Sequence, residues 1–255
     1  MNVVPKESRP RGIYLLPNLF TIGSFFGGFF AIVSSFTGNY DNAAIAIFIA
    51  MIMDSLDGRV ARLTNTMTAF GAELDSLADM VSFAVAPAFL AYTWSLSTLG
   101  KFGWLAAFIY MVAVALRLAR FNTQIGSVDK RYFQGMPCPA AAAVVTSFIW
   151  ICYDFEIVSK LTTIALAFIM IAVGALMISN IRFRSFKDAE FKNHVPFVVI
   201  LMVVLVLVLI TFDPSKVLFI VFAGYAISGP AATIWGLQQK KRLRKNFLTM
   251  HKKHE

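Results

Sequence analysis

Four aspartates, Asp54, Asp57, Asp75 and Asp79, fall close together in an otherwise strongly apolar chain. Asp54 and Asp57 are spaced i,i+3 and Asp75 and Asp79 i,i+4, so on helices each pair shares one face. Two such faces opposed across a short turn form a cage of carboxylate oxygens. One Asp at the centre of a membrane helix costs about 2.5 to 3.5 kcal/mol, and four without compensation roughly 10 kcal/mol, so the cluster demands a positively charged partner. Oxygen-only ligands suit Mg2+ or Mn2+, and two such ions about 3.5 to 4 Å apart form the clamp that phosphoryl-transfer enzymes place on a diphosphate. No His or Cys lies near the cluster in sequence, which argues against zinc.

The residues around the aspartates leave room for a ligand. Gly58 follows Asp57 directly and Gly71 precedes Asp75 by one turn, which removes side chains from the helical surfaces beside the carboxylates. Glycine in membrane helices also serves close packing. Arg62 lies one turn after Gly58 on the same face, where a guanidinium can pair with phosphate oxygens or simply help set topology. The connection from Leu63 to Thr68 is short and polar, with good N-cap candidates for the next helix.

The elements that carry these residues are membrane helices. With 58% hydrophobic and 15% charged side chains in 255 residues, the chain is too apolar for an ordinary water-soluble domain. Eight spans are expected, at 14–36, 43–63, 69–94, 102–120, 139–153, 161–180, 195–212 and 217–237, most near the ~20 residues needed to cross the hydrocarbon core. The predicted fold class is an all-α polytopic membrane protein forming one membrane domain. Within it, 14–212 makes the bundle that holds the cluster, 217–237 the last span and 238–255 a basic tail.

Placing both termini in the cytoplasm leaves only Lys101, Lys160 and Lys216 of the 23 Lys and Arg residues on the outer side, a strong positive-inside pattern. The formal charge of +9 therefore reads as orientation plus attraction to anionic lipid, clearest in the tail from Lys240 to Lys245, and not as nucleic-acid binding. Trp94, Trp104, Trp150 and Tyr153 near outer ends, with Tyr14 and Trp235 near inner ends, act as interfacial anchors. The first apolar stretch lacks a small-residue cleavage site and reads as a retained span. Cys138 and Cys152, at opposite ends of one span, read as packing residues. The scattered His194, His251 and His254 make a histidine metal site improbable.

The spacing D-x2-D-G-x2-A-R-x8-G-x3-D-x3-D is complete from Asp54 to Asp79 and resembles the signature of the CDP-alcohol phosphatidyltransferase family. The segment Pro17, Asn18, Leu19, Phe20, Thr21 is similar to a Pro-Asn element of that family. The resemblance implies the family's helical bundle, with Asp54, Asp57 and Asp75 holding one divalent cation. Asp79 then completes a second cation site and acts as the catalytic base. It also implies that Pro17 to Phe20, Gly58, Ala61, Arg62, Thr68 and Gly71 line the pocket for a CDP-linked lipid, and that the protein is a homodimer.

Three further strings resemble the serine-accepting, membrane-type members of the family. They are Arg117 to Asn122, Phe133 to Ala140 and Ser179 to Asp188. They imply CDP-diacylglycerol as donor and L-serine as acceptor, with Arg120 and Asn122 as candidate serine contacts, in a prokaryotic plasma (inner) membrane with the site facing the cytoplasm. Another acceptor on the same scaffold, such as glycerol 3-phosphate, inositol phosphate or choline, is the nearest alternative. An intramembrane prenyltransferase would not require Gly58, Ala61 and Arg62 in this register. An ion-coupled transporter would predict a second acidic cluster in a matching half, which the chain lacks.

Overall fold

The structure, a computed structural model, describes residues 15–123, 132–184 and 197–251. Among these, nine α-helices follow in order: α1 (Leu15–Phe36), α2 (Tyr40–Leu63), α3 (Ala69–Asp79), α4 (Ala86–Trp94), α5 (Lys101–Thr123), α6 (Cys138–Asp154), α7 (Lys160–Ile178), α8 (Phe197–Phe212) and α9 (Pro214–His251). Helices α3 and α4 are two halves of one continuous run joined by a π-helical turn, Met80–Val85. Within the described residues each of the eight expected segments falls on a helix or on this joined pair, and residues 14, 195 and 196 lie outside the described residues.

Five of the described helical runs are long and apolar enough to cross a membrane: Leu16–Phe36, Ala69–Trp94, Lys101–Thr123, Lys160–Ile178 and Pro214–Thr233. Helix α2 has the length, at 24 residues, but carries Asp54, Asp57, Arg59 and Arg62 in its final turns. Helix α6 is apolar but only 17 residues long. Large apolar side chains such as Phe26, Phe36, Phe108, Leu161 and Phe168 stand exposed on the outside of the bundle. Water would disfavour such a surface and lipid satisfies it, so the chain is a multi-pass helical membrane protein.

Small residues govern the packing. Helix α1 lies along α2, α5 along α7, and α6 along α9. Ala140, Ala141, Ala142 and Ala143 of α6 are all buried, and Ala43, Ala44, Ala46 and Ala50 do the same on α2. Without a hydrophobic drive between helices in lipid, such close backbone approach is what holds a bundle together. Gly28 is the tightest case near the site: a Cβ there would come within 2.7 Å of the Ser82 backbone, so α1 sits directly on the π turn.

The π turn has an identifiable cause. Pro87 lacks an N–H, so the carbonyl four residues earlier, that of Phe83, loses its helical donor. The hydroxyl of the fully buried Tyr110 on α5 donates to that carbonyl at 2.7 Å. An apolar interior offers no water for the task, so a side chain from a neighbouring helix must supply the bond.

Two features depart from the expected outline. A short antiparallel ribbon, β1 (Tyr132–Gln134) with β2 (Arg182–Arg184), adds two three-residue strands to the predicted all-α class. Gly135 ends β1 at φ +79°, where a Cβ would lie 2.1 Å from the Met177 carbonyl oxygen. Helix α9 continues unbroken to His251, so the backbone of the basic stretch after residue 237 is helical through that point.

Candidate active site

Helices α2 and α3 present the aspartates to one another across the turn at 64–68. Thr68 caps α3, its hydroxyl accepting from the Gly71 N–H at 3.0 Å, and this fixes where the α3 face begins. Carboxylate oxygens of Asp54, Asp57 and Asp75 all lie within 4.8 Å of one another. Asp79 hydrogen-bonds Asp54 and lies in the field of Asp75, while among the described residues its Oδ1 is enclosed and has no hydrogen-bond partner. Two carboxylates in contact repel unless a proton or a cation lies between them. A converging, oxygen-only donor set with an orphaned buried oxygen fits hard divalent cations, and these residues can hold a metal.

The remaining expected ligand residues divide into those the fold brings to the cage and those it sends elsewhere. Asn18, near the start of α1, reaches α3: its Oδ1 would be 3.3 Å from a Cβ at Gly71. Pro17 is buried, whereas Leu19 is 68% exposed and Phe20 half-buried. At Gly58 a Cβ would meet nothing within 4 Å, so the space beside Asp57 is open, as the sequence reading expected. Ala61 is half-buried one turn after Gly58. The exposed Arg62 folds back over Gly58 and donates from Nε to its carbonyl at 2.8 Å. Asn122 donates to Ser76 Oγ at 3.0 Å, which ties the end of α5 to the helix that carries Asp75 and Asp79. Arg120 points differently, donating to the Ile178 carbonyl and, at 2.7 Å, to Asn180 Oδ1 at the end of α7.

Three participants were not assigned to the site from sequence. Thr21 is buried and donates to Asp57 Oδ2 at 2.8 Å. The i,i+3 run of polar residues Asn18, Thr21 and Ser24 along α1 was the available signal. Arg117 entered the sequence reading only as the first residue of one of the three downstream strings. It lies in the electrostatic neighbourhood of Asp79, and its Nη1 donates to Cys138 Sγ at 3.0 Å. Cys138 itself, although remote from the aspartates in sequence, is folded to within electrostatic reach of Asp54 and Asp79. The expectation that no cysteine accompanies the cluster is therefore corrected. The thiol is fully buried and occupied by Arg117, which denies a substrate access to it.

The three downstream strings also meet in space. Arg117 reaches Cys138, Arg120 reaches the end of α7, and Phe133 pairs with Phe183 in the ribbon. Residues 185–188 of the last string lie outside the described residues, as does His194. Beside the cage, a cavity of about 770 Å³ opens between α2, α6 and α9, lined by Ile52, Ser55, Arg59, Ala140, Phe222 and Gly224 among others.

A helical membrane bundle with a four-carboxylate site on two successive helices defines the class of protein. The chain belongs to the CDP-alcohol phosphatidyltransferase family, which it matches over residues 14–178, a range that holds all four aspartates. It is 35% identical over 217 residues to the CDP-diacylglycerol–serine O-phosphatidyltransferase of Helicobacter pylori, covering 85% of this chain and 90% of that protein. Similarity to the enzyme of the same name from Bacillus subtilis is 37% over 180 residues, covering 70% and 94%. The archaetidylserine synthase of Methanothermobacter thermautotrophicus is 38% identical over 170 residues, covering 66% and 69%.

Proposed function

We propose that this protein transfers the phosphatidyl group of CDP-diacylglycerol to the hydroxyl of L-serine, giving phosphatidylserine and CMP. The observation that carries the reading is the convergence of the Asp54, Asp57 and Asp75 oxygens within 4.8 Å, with Asp79 bonded to Asp54. Similarity to proteins named for this reaction supports serine as the acceptor.

In this reading Asp54, Asp57, Asp75 and Asp79 hold two divalent cations, Mg2+ or Mn2+. When bound, such ions neutralise the donor diphosphate and polarise its phosphorus toward attack. Thr21 keeps the Asp57 carboxylate turned toward the cage through its hydrogen bond. Pro17 to Phe20, Gly58, Ala61, Arg62, Thr68 and Gly71 line the donor pocket. The open space at Gly58 lets the diphosphate approach the α2 backbone. Asp79 takes the proton from the serine hydroxyl as its oxygen bonds the β-phosphorus, and the bond from that phosphorus to the CMP oxygen breaks. A carboxylate with an ordinary pKa near 4 is a weak base toward an alcohol, so positioning and late proton transfer must supply its effect. Asn122, fixed on Ser76 one residue from Asp75, marks the acceptor side. The apolar cavity between α2, α6 and α9 suits the acyl chains of the donor.

The positive-inside pattern supports eight spans, both termini in the cytoplasm and a cytoplasm-facing site in the inner membrane. There the basic tail meets anionic lipid. A homodimer is the expected assembly. The test is CMP release and lipid product from the purified protein with CDP-diacylglycerol, Mn2+ or Mg2+, and serine, glycerol 3-phosphate, inositol phosphate or choline as acceptor. Serine-dependent phosphatidylserine that disappears in Asp79→Asn is the expected result. CMP release with another alcohol would overturn the acceptor, and no metal-dependent release with any acceptor would overturn the activity.

A further inference from the structure

We infer that Arg117 holds the carboxylate of the acceptor amino acid, making it the residue that selects serine over uncharged alcohols. This rests on the serine-transfer reading above and extends it to a residue that reading does not assign. Arg117 is half-buried in the C-terminal half of α5, and among the described residues its guanidinium donates to the neutral Cys138 thiol, a weak acceptor. Among the described residues its Nε is enclosed and has no hydrogen-bond partner. A guanidinium in that condition is costly unless an anion completes it.

Its neighbours indicate which anion. Asp79, the proposed base, is within electrostatic reach of Arg117. A small molecule placed between them can offer a hydroxyl to Asp79 and an anionic end to Arg117, and serine carries both groups. One guanidinium matches the single negative charge of a carboxylate and its two-oxygen fork. Arg120, three residues further along α5, already bonds the Ile178 carbonyl and the Asn180 side chain, so its guanidinium braces α5 against α7. The other anion that could reach Arg117 is a phosphate of the donor, and the kinetics separate the two.

The experiment compares L-serine with L-serinamide, which keeps the hydroxyl and amine but lacks the carboxylate, using the full-length protein with CDP-diacylglycerol and Mn2+. The wild-type protein should favour serine, and Arg117→Gln should raise the KM for serine about 10- to 100-fold, the range of a charge-assisted hydrogen bond, while the serine-to-serinamide preference collapses toward unity. The KM for CDP-diacylglycerol should stay unchanged, and Arg117→Lys should recover part of the preference. If Arg117→Gln does not fold, the Lys variant and the wild-type preference decide alone: an undiminished preference in the Lys variant, or none in the wild type, overturns the inference. So does a raised KM for the donor in place of serine, or a fall in kcat with the preference intact. A wild-type protein that makes phosphatidylserine while Arg117→Gln keeps its preference sinks this inference alone. One that uses only acceptors without a carboxylate sinks the serine reading with it.

Discussion

The Thr21 hydroxyl of α1 donates to Asp57 Oδ2 of α2 at 2.8 Å, and both residues are buried. The first helix thus orients a carboxylate of the acidic cluster that it does not itself carry. Groups that orient metal-binding residues typically contribute 10- to 100-fold to metal affinity. Thr21→Val keeps the shape and removes the donor, so Mn2+ affinity should fall by about that range. Titration of Mn2+ followed by the paramagnetic signal of the free ion measures it without reference to turnover.

Gly58→Ala should separate stability from activity. A Cβ at this position meets nothing within 4 Å, and replacing glycine inside a helix adds about 1 kcal/mol to helix stability. The variant should unfold at a higher temperature in detergent, yet its KM for CDP-diacylglycerol should rise because the methyl group occupies the space beside Asp57. A variant of unchanged KM would show that the donor does not approach the α2 backbone here.

Tyr110→Phe should destabilise the bundle by about 1 to 3 kcal/mol, the cost of leaving a buried acceptor unpaired. The acceptor is the Phe83 carbonyl, which Pro87 deprives of its helical donor. Replacing Pro87 by alanine in the same background should recover part of the loss, since an N–H becomes available again. Thermal unfolding of the single and double variants gives the coupling directly.

Filling the cavity between α2, α6 and α9 should discriminate between donors by chain length. Gly224 lines it, and a Cβ there would meet nothing within 4 Å, so Gly224→Leu extends a side chain from this wall. The KM for a long-chain CDP-diacylglycerol should rise about tenfold, what two lost buried methylene groups are worth. A short-chain donor and serine should be unaffected. Equal effects on both donors would place the acyl chains elsewhere.

Much of the site was legible in the chain because the signals are local. Spacings of three and four residues put Asp54 with Asp57 and Asp75 with Asp79 on shared faces, and the cost of charge in apolar helices pointed to a positively charged partner. The Thr68 cap and the open flank at Gly58 were readable for the same reason, since both depend on residues within a turn or two. The π turn was less visible, because a proline predicts a disturbed helix but not which distant hydroxyl rescues the freed carbonyl.

The sequence by itself determined a multi-helix membrane protein with a four-aspartate cluster of family-specific spacing. Only the tertiary structure decided that Thr21 backs Asp57, that Arg117 turns toward Cys138 and the cage, and that Arg120 turns to the end of α7. The physical reason lies in the helices themselves. Where a helix is apolar nearly all round, its periodicity does not say which face meets which neighbour. Arg117 and Arg120 are near neighbours on the surface of α5, and the small-residue packing of α5 on α7 turns one toward Cys138 and the other toward the end of α7.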